Sequence, residues 1–509
     1  MGMPALIRLA SLQRERRRGQ IRTRDAFLAN GKGSNCQRDD SPHGGKKTRY
    51  SGPDLPEDIW HHIHSLMPLR DAARAACVSR NFLRSWRCRP YITFSRATLG
   101  LNDLHGEEEV ARDFNSKVDH ILKKHSGIGL KTLKIEFCGY SANTSCNLNS
   151  WLATAVTPEL EELTLLLPPN KAKYRFPSSL FSNGRGESIR RLQLSWCAFS
   201  TTARLDCMKN LTSVHLRDVR ITGDALGCLL SNSIALERLN LVYCNKITFL
   251  KIPYLMRRLS CLGVFECDML QVIESKAPNI STFHYSGTQV ELSLGVPVQV
   301  KTLSLSTDSA ICYARAKLPF IVPTLETLSI SSSFEVTNTP MVPSTFVHLK
   351  YLSIMLSGAA FSPAYDCLSL VSFLHAAPSL ETFDLGVSQL HMQHESIVGN
   401  PSPLRQMEAH CHRKLRSATI TGFCSAKSLV ELTCYILENA PSLDCFTLDT
   451  TLGFARCSAN KLGKCYPLGS EMVIESQKAL LAIGAYIEGK VPPAVKLNIL
   501  GHCGLCHAV

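Results

Sequence analysis

The stretch Leu211–Leu241, LTSVHLRDVRITGDALGCLLSNSIALERLNL, carries one spacing twice: Leu211/Val214/Leu216 at its start and Leu236/Leu239/Leu241 at its end. Within the first copy Val214 and Leu216 alternate with His215 and Arg217, the period of two expected of a strand that buries one face. The two copies start 25 residues apart. Working outward in both directions, the same spacing recurs from Leu130/Leu133/Ile135 to Leu443/Phe446/Leu448, thirteen copies with starts 20 to 35 residues apart. A unit this short cannot bury its own apolar face, so the copies must stack into a solenoid that needs a cap at each end.

The period fits leucine-rich repeats of about 20 to 29 residues, the longer intervals implying insertions. The repeat also asks for Asn or Cys three positions after its third apolar residue, and Cys138, Cys197, Cys244 and Cys267 fill that slot. They read as buried core thiols donating weakly to backbone, not as ligands or nucleophiles. Asp366–Ala377 and Ala426–Ala440 have helical spacing and end at Pro378 and Pro441, where proline stops a helix and a strand follows. The expected fold is α/β: a curved solenoid with parallel strands on its concave face and helices and turns on its convex face. Glu471–Ile487 reads as a capping helix and Val495–Leu500 as a last strand.

Upstream lies LPEDIWHHIHSLMPLRDAARAACVSRNFLRSW, Leu55–Trp86. Pro56 suits a first helical position, and Glu57 and Asp58 complement the positive end of the helix dipole. Ile59, Ile63, Leu66 and Met67 form one stripe, with His61, His62 and His64 elsewhere on the wheel. Pro68 ends that helix, Leu69, Ala72, Ala73 and Ala76 mark a second, and Ser79 is placed to cap a third bearing Phe82, Leu83 and Trp86. Three helices in so few residues bury too little to stand alone, so a partner is expected. Leu55-Pro56, the Ile59/Ile63/Leu66 stripe, Pro68-Leu69, Val78-Ser79-Arg80 and Trp86 resemble an F-box, with Phe82 where the family often has Trp. The resemblance implies docking on a Skp-type adaptor, and through it on a cullin, by Leu55, Pro56, Ile59, Ile63, Leu66, Leu69, Val78, Phe82 and Trp86. The alternative is a helical hairpin packed only on the chain's own core. Ser442 through Tyr486-Ile487-Glu488-Gly489 resembles the end of plant F-box proteins with leucine-rich repeats.

At 509 residues, 45% hydrophobic and 19% charged, the chain is folded over most of its length. It has no run of eighteen apolar residues and no secretory signal, so its 21 cysteines are expected to stay reduced in the nucleus or cytoplasm. Residues 1–50 hold twelve Lys or Arg against four acids, a surplus of eight within a net charge of +14. Arg14–Arg18 and Lys46–Arg49 are compatible with a two-part import signal, nonspecific nucleic-acid contact, a transit peptide or a plain solvated tail. The absence of aromatics among the first basic residues disfavours single-strand stacking. The expected division is a disordered basic tail (1–50), the F-box (51–96), a connector (97–128), the repeats (129–452), and a C-terminal cap and tail (453–509).

Chemistry of the catalytic kind is not signalled. There is no P-loop, no G-x-S-x-G elbow and no H-E-x-x-H. Cys503-Gly504-Leu505-Cys506-His507 matches haem attachment without that chemistry's context, and with Cys457 and Cys465 makes only a weak zinc pattern. The chain therefore reads as a non-catalytic receptor with no cofactor. Side chains alternating with the apolar ones should line the concave face: Lys134, Arg191, His215, Arg217 and Arg238 early, Thr282, Ser304 and Ser329 in the middle, Asp384 and Asp449 late. Arg191, His215, Arg217 and Arg238 fall on three consecutive repeats and should cluster, a grip for an acidic or phosphorylated client. A solvated strand face is the competing reading. The function implied is substrate recognition for a cullin-based ubiquitin ligase, with a non-degradative nuclear scaffold as the alternative.

Overall fold

The computed structural model describes residues 56–503 except 102–105, 127, 138–143, 170–173, 182–183, 201–207, 296–298, 336, 358–364, 389–393, 400–401, 452 and 454–467. The tail assigned to 1–50, Leu55, Cys138, Cys457, Cys465, Cys506 and His507 lie outside the described residues. The helices of the N-terminal module are α1 (Glu57–Leu66), α2 (Leu69–Val78) and α3 (Arg80–Arg87), followed by α4 (Arg96–Leu99) and α5 (Glu107–Lys124). Ser79 stands at the N-cap of α3 with extended backbone, but its hydroxyl makes no capping bond there.

One parallel sheet of fifteen strands runs through the rest. Its strands, in order, are β1 (Tyr91–Phe94), β2 (Thr132–Glu136), β3 (Glu162–Leu166), β4 (Arg191–Ser195), β5 (Ser213–Arg217), β6 (Arg238–Val242), β7 (Cys261–Phe265) and β8 (Thr282–Ser286). They continue as β9 (Thr302–Ser306), β10 (Thr327–Ser332), β11 (Tyr351–Leu356), β12 (Thr382–Val387), β13 (Ser417–Thr421), β14 (Cys445–Asp449) and β15 (Lys496–Leu500). Each pairs with its neighbours in sequence, so the chain advances one repeat per strand. All thirteen copies of the spacing fall on β2–β14. The sheet also takes in β1, inside the segment read as F-box, and β15, inside the segment read as cap. Tyr91-Ile-Thr-Phe94 lacks a leucine three residues before its buried pair, which is why the repeat spacing misses it.

In β1–β14 the second and fourth positions are buried, and the first and third face the other way, half-buried or exposed except for the buried Thr164 and Gly263; in β15 the second and fourth positions are half-buried. Leu133 and Ile135, Leu239 and Leu241, Leu352 and Ile354 form continuous rows in register. Two positions beyond the second buried residue the backbone turns left-handed at Trp196, Asp218, Tyr243 and Glu266, and at Gly287. Each of these amides still donates to the next strand, as Tyr243 N–H does to Phe265 O at 2.9 Å, so one more ladder bond offsets the strain of about 1 kcal/mol. After the first four, the next residue (Cys197, Val219, Cys244 or Cys267) drops into the core, whereas Thr288 after Gly287 is exposed. Cys244 Sγ–H points at Leu216 O and Val242 O at 3.6 Å, and Cys267 Sγ accepts the Cys244 N–H at 3.3 Å. The cysteines of that slot which the structure describes are buried.

The opposite side carries the expected helices in some intervals and short strands in others. Among the described residues, α-helices occupy five of the seven intervals of 25 residues or more, at Thr144–Ala155, Gly223–Ser231, Ala310–Ile321, Val371–Ala376 and Lys427–Asn439. From Phe249 to Leu294 the intervals shrink to 20–23 residues and carry short strands instead, Phe249–Ile252, Val272–Ser275 and Glu291–Leu294, paired as a second parallel sheet. A helix advances about 1.5 Å per residue and a strand about 3.3 Å, so a short return can only be made extended. The Ser470–Tyr486 helix and β15 close the far end.

Candidate interaction surfaces

The three N-terminal helices build a small core of their own from aromatic side chains. Phe82 lies between Trp60, edge to face at 5.1 Å between centroids, and His64 at 5.6 Å. His64, expected on the polar side of the wheel, is only 1% exposed: its Nε2 meets Ala72 O at 3.1 Å and its ring stands 6.1 Å from Trp86. Burial holds its pKa below the ordinary imidazole value, with Arg89 adding to the effect, so it packs as a neutral ring. The Trp-to-Phe departure is thus filled by Trp60 and His64.

Arg89 fastens this module to the solenoid. Its guanidinium donates to His64 O at 2.8 Å, Met67 O at 2.6 Å and Ser65 O at 3.3 Å, carbonyls at and just past the C-terminal end of α1, and to Tyr91 O at 3.0 Å on β1. His125, after α5, meets Arg89 O at 2.9 Å. No sequence motif marks this clamp, since its partners are backbone carbonyls.

With that side filled, the apolar stripe is left outside. Ile59 is 40% exposed, Ile63 37%, Leu66 72% and Val78 87%. Leu83, absent from the expected docking set, is exposed beside them. Pro56 is exposed too. Leu69, by contrast, is buried in the chain's own core, and Phe82 and Trp86 are half-buried facing inward. The nine expected residues therefore divide: Pro56, Ile59, Ile63, Leu66 and Val78 on the surface, Leu69, Phe82 and Trp86 beneath it, and Leu55 undescribed.

On the sheet face, the first positions of β4, β5 and β6 put Arg191, Ser213 and Arg238 in one row. His215 and Arg217 follow on the strand between. These four residues do fall on adjacent strands. Lys134 lies three strands from His215 in the same register row and is paired with Glu136 at 2.5 Å. The cluster is less cationic than its residue types suggest. Arg191 bonds Glu162 at 2.9 Å, its direct register partner on β3, a neutralisation legible once the register is known. His215 is held neutral by desolvation first and by Arg217 second.

Arg217 sits 4.0 Å from Asp218 and over the Tyr243 ring at 5.9 Å. Beyond it the fifth-position row continues through Val242 to Phe265, whose ring stacks on His284 at 6.4 Å. Gly263 makes room for this: a Cβ there would stand 2.4 Å from Asn240 Oδ1 and 2.7 Å from the Phe265 ring. At the late end Asp384 keeps its place on the face, half-buried, while Asp449 does not. Asp449 is buried and accepts from Thr451 N–H and Oγ1–H, both at 2.8 Å, and Asp384 takes the Tyr351 hydroxyl at 2.6 Å. Among the described residues no helix is long and apolar enough to cross a membrane.

The comparisons with known proteins agree with this anatomy. The F-box domain matches residues 53–91. The family described as At1g61320/AtMIF1, LRR domain, matches residues 121–504. The F-box/LRR-repeat protein At3g03360 of Arabidopsis thaliana is 24% identical over 277 residues, 51% of each chain, so the match spans about half of that relative. The F-box/FBD/LRR-repeat protein At1g13570 of the same plant is 21% identical over 78% of this chain and 91% of its own length. Among solved structures, an internalin of Listeria monocytogenes overlaps 59% of this chain and 76% of its own at 14% identity, with a TM-score of 0.29 too low to carry an argument. The chain belongs to the plant F-box/leucine-rich-repeat proteins, within the At1g61320/AtMIF1 repeat-domain family.

Proposed function

We propose that this protein is the substrate-recognition subunit of a cullin-based ubiquitin ligase, a receptor without catalytic groups of its own. The observation that carries the reading is the exposed seam of Ile59, Ile63, Leu66, Val78 and Leu83 on a module whose interior is already filled by His64, Leu69 and Phe82. An apolar stripe of this kind, on helices too small to stand alone, fits a helical adaptor of the Skp type. Such a receptor acts by proximity, holding client lysines near a ubiquitin thioester carried by other subunits.

The client surface is centred on Arg217, Arg238, Tyr243 and Phe265. Arg beside the exposed Tyr243 and the half-buried Phe265 is the composition of binding hot spots, and the guanidiniums suit an acidic or phosphorylated segment. Action in the nucleus or cytoplasm, where ligase subunits and reduced thiols coexist, belongs to the same proposal. The test is co-purification of the tagged full chain and its Ile63→Lys variant, followed by mass spectrometry and by client turnover. The proposal expects adaptor and cullin with the wild type only, and clients that accumulate when the variant replaces it. Adaptor binding without any effect on client turnover would favour a non-degradative scaffold instead.

A further inference from the structure

Three separate segments converge at the far end of the array: the residues from His394 onward after β12, the turn after β13, and the Ser470–Tyr486 helix. A backbone bridge between Ser396 and Ala426 joins the first two, reinforced by the Ile397 N–H donating to Ser425 O at 2.9 Å. The helix contributes Glu475. Its Oε1 accepts the Ser425 N–H and the Ser425 hydroxyl, both at 2.7 Å, and lies 3.1 Å from His394 Nε2. Cys424, at the same junction, is fully buried and accepts the Ala426 N–H. One ligand-competent atom from each of His394, Cys424 and Glu475 lies within 4.8 Å of the others.

Two features are hard to explain as a plain packing junction. His394 Nδ1 is buried with no hydrogen-bond partner, and a thiol, an imidazole and a carboxylate from three elements converge on one point. Such mixed sulfur, nitrogen and oxygen donors are the set that divalent zinc takes. Outer partners for two of the ligands are already in place: the Ala426 amide on the sulfur, and the Ser425 amide and hydroxyl on the carboxylate.

We propose that His394, Cys424 and Glu475 form a binding site for a zinc-class divalent cation, which staples the capping helix to the last repeats. The ion takes one imidazole nitrogen, one carboxylate oxygen and the sulfur, and a water fills the fourth position. Cys424 loses its thiol proton to solvent as the sulfur–metal bond forms, and the direct contact between His394 and Glu475 gives way to the shared ion. Bonds of about 2.0 to 2.3 Å place tetrahedral ligands about 3.5 Å apart, so the side chains close in by about 1 Å, within the reach of rotamer adjustment. Terminal units of a solenoid bury only one of their two faces, and a metal staple is one way to hold such a unit in place.

The test uses the full chain, treated with chelator under reducing conditions, with Co2+ and Zn2+ as probes. The proposal expects cobalt binding with a thiolate-to-metal charge-transfer absorption, and a rise in the unfolding temperature on adding Zn2+. Both should persist in the Cys503→Ser/Cys506→Ser double variant. Both should be lost in Cys424→Ser; because that position is fully buried, His394→Gln and Glu475→Gln, at partly accessible side chains, serve as independent variants and should weaken binding at least about tenfold. The proposal is overturned if the wild type shows no charge-transfer band. It is equally overturned if the band survives in Cys424→Ser, His394→Gln and Glu475→Gln and disappears only in the C-terminal double variant.

Discussion

Replacing Arg89 with Met should loosen the F-box without unfolding the solenoid. The side chain is 7% exposed and donates four hydrogen bonds to backbone carbonyls, three of them at the end of α1. Bonds from a charged donor contribute about 1.5–3 kcal/mol each, and carbonyls left buried and unpaired cost about 1–3 kcal/mol. A simple sum overstates the loss, because burial also disfavours the guanidinium, whose pKa is lowered by desolvation. A net loss of about 3–4 kcal/mol, in line with breaking other buried charge contacts, is the working figure. It should be local, since the buried rows of β2–β14 do not depend on Arg89. Native-state hydrogen exchange followed by mass spectrometry reads this directly: amides of 57–87 should exchange about 100- to 1,000-fold faster, at about 1.4 kcal/mol per tenfold, while β4–β12 keep their protection. Unchanged protection in 57–87, or an equal loss across the sheet, would refute the clamp.

Acid should weaken the late repeats. His375 and His412 both contact the Tyr435 hydroxyl, at 2.7 and 3.0 Å, with His410 stacked beside them. Burial and the neighbouring histidines lower the His412 pKa to about 4. The folded state thus binds fewer protons than the unfolded one, so stability is complete above about pH 6.5 and falls between there and pH 4, by about 1–3 kcal/mol once water access is allowed for; thermal melts across that range, repeated with His412→Phe, check it. Arg315→Met should cost about 3–5 kcal/mol in thermal unfolding, because its buried guanidinium donates to the backbone carbonyls Ser372 O and Ser344 O, each at 3.0 Å. Among the described cysteines, maleimide labelling of the native chain should reach the exposed Cys77 and Cys411 first and spare Cys244, Cys367 and Cys424 until unfolding; early labelling of those three would contradict the packing of the turns. Arg217→Glu combined with Arg238→Glu should abolish client capture while adaptor binding is unchanged, and retained capture would remove this patch from the account.

The repeats were legible because strand burial has a period of two and each copy is short enough for the pattern to stand out: the second and third apolar residues of all thirteen copies lie on a strand. What periodicity missed depends on contacts between distant residues. β1 lacks the leading leucine, and the second sheet between Phe249 and Leu294 follows from interval length rather than from any pattern within the intervals. In the F-box, the wheel located the exposed stripe, yet it placed His64 among the polar residues. Only the packing of Phe82 against Trp60 and His64 shows that a neutral histidine fills the core. On the sheet, alternation found Arg191, Arg217 and Arg238 but not the neutralising Glu162, nor the turn of Asp449 into the interior, since both require the register and the fold of the neighbouring turn.

The most direct test of the central claim is a binding titration of purified full-length chain with a purified Skp-type adaptor, wild type against Ile63→Lys. Ile63 is 37% exposed in the free chain, so the lysine is solvated there and the unfolding temperature should barely move. In the docked complex the same substitution forfeits about 1 kcal/mol of apolar burial and desolvates an unpaired ammonium at a cost of about 3 kcal/mol or more. The account predicts that the wild type binds and that the variant binds about 1,000-fold more weakly with its fold intact. A wild-type chain that does not bind the adaptor, or a variant that binds as well as the wild type, would contradict it.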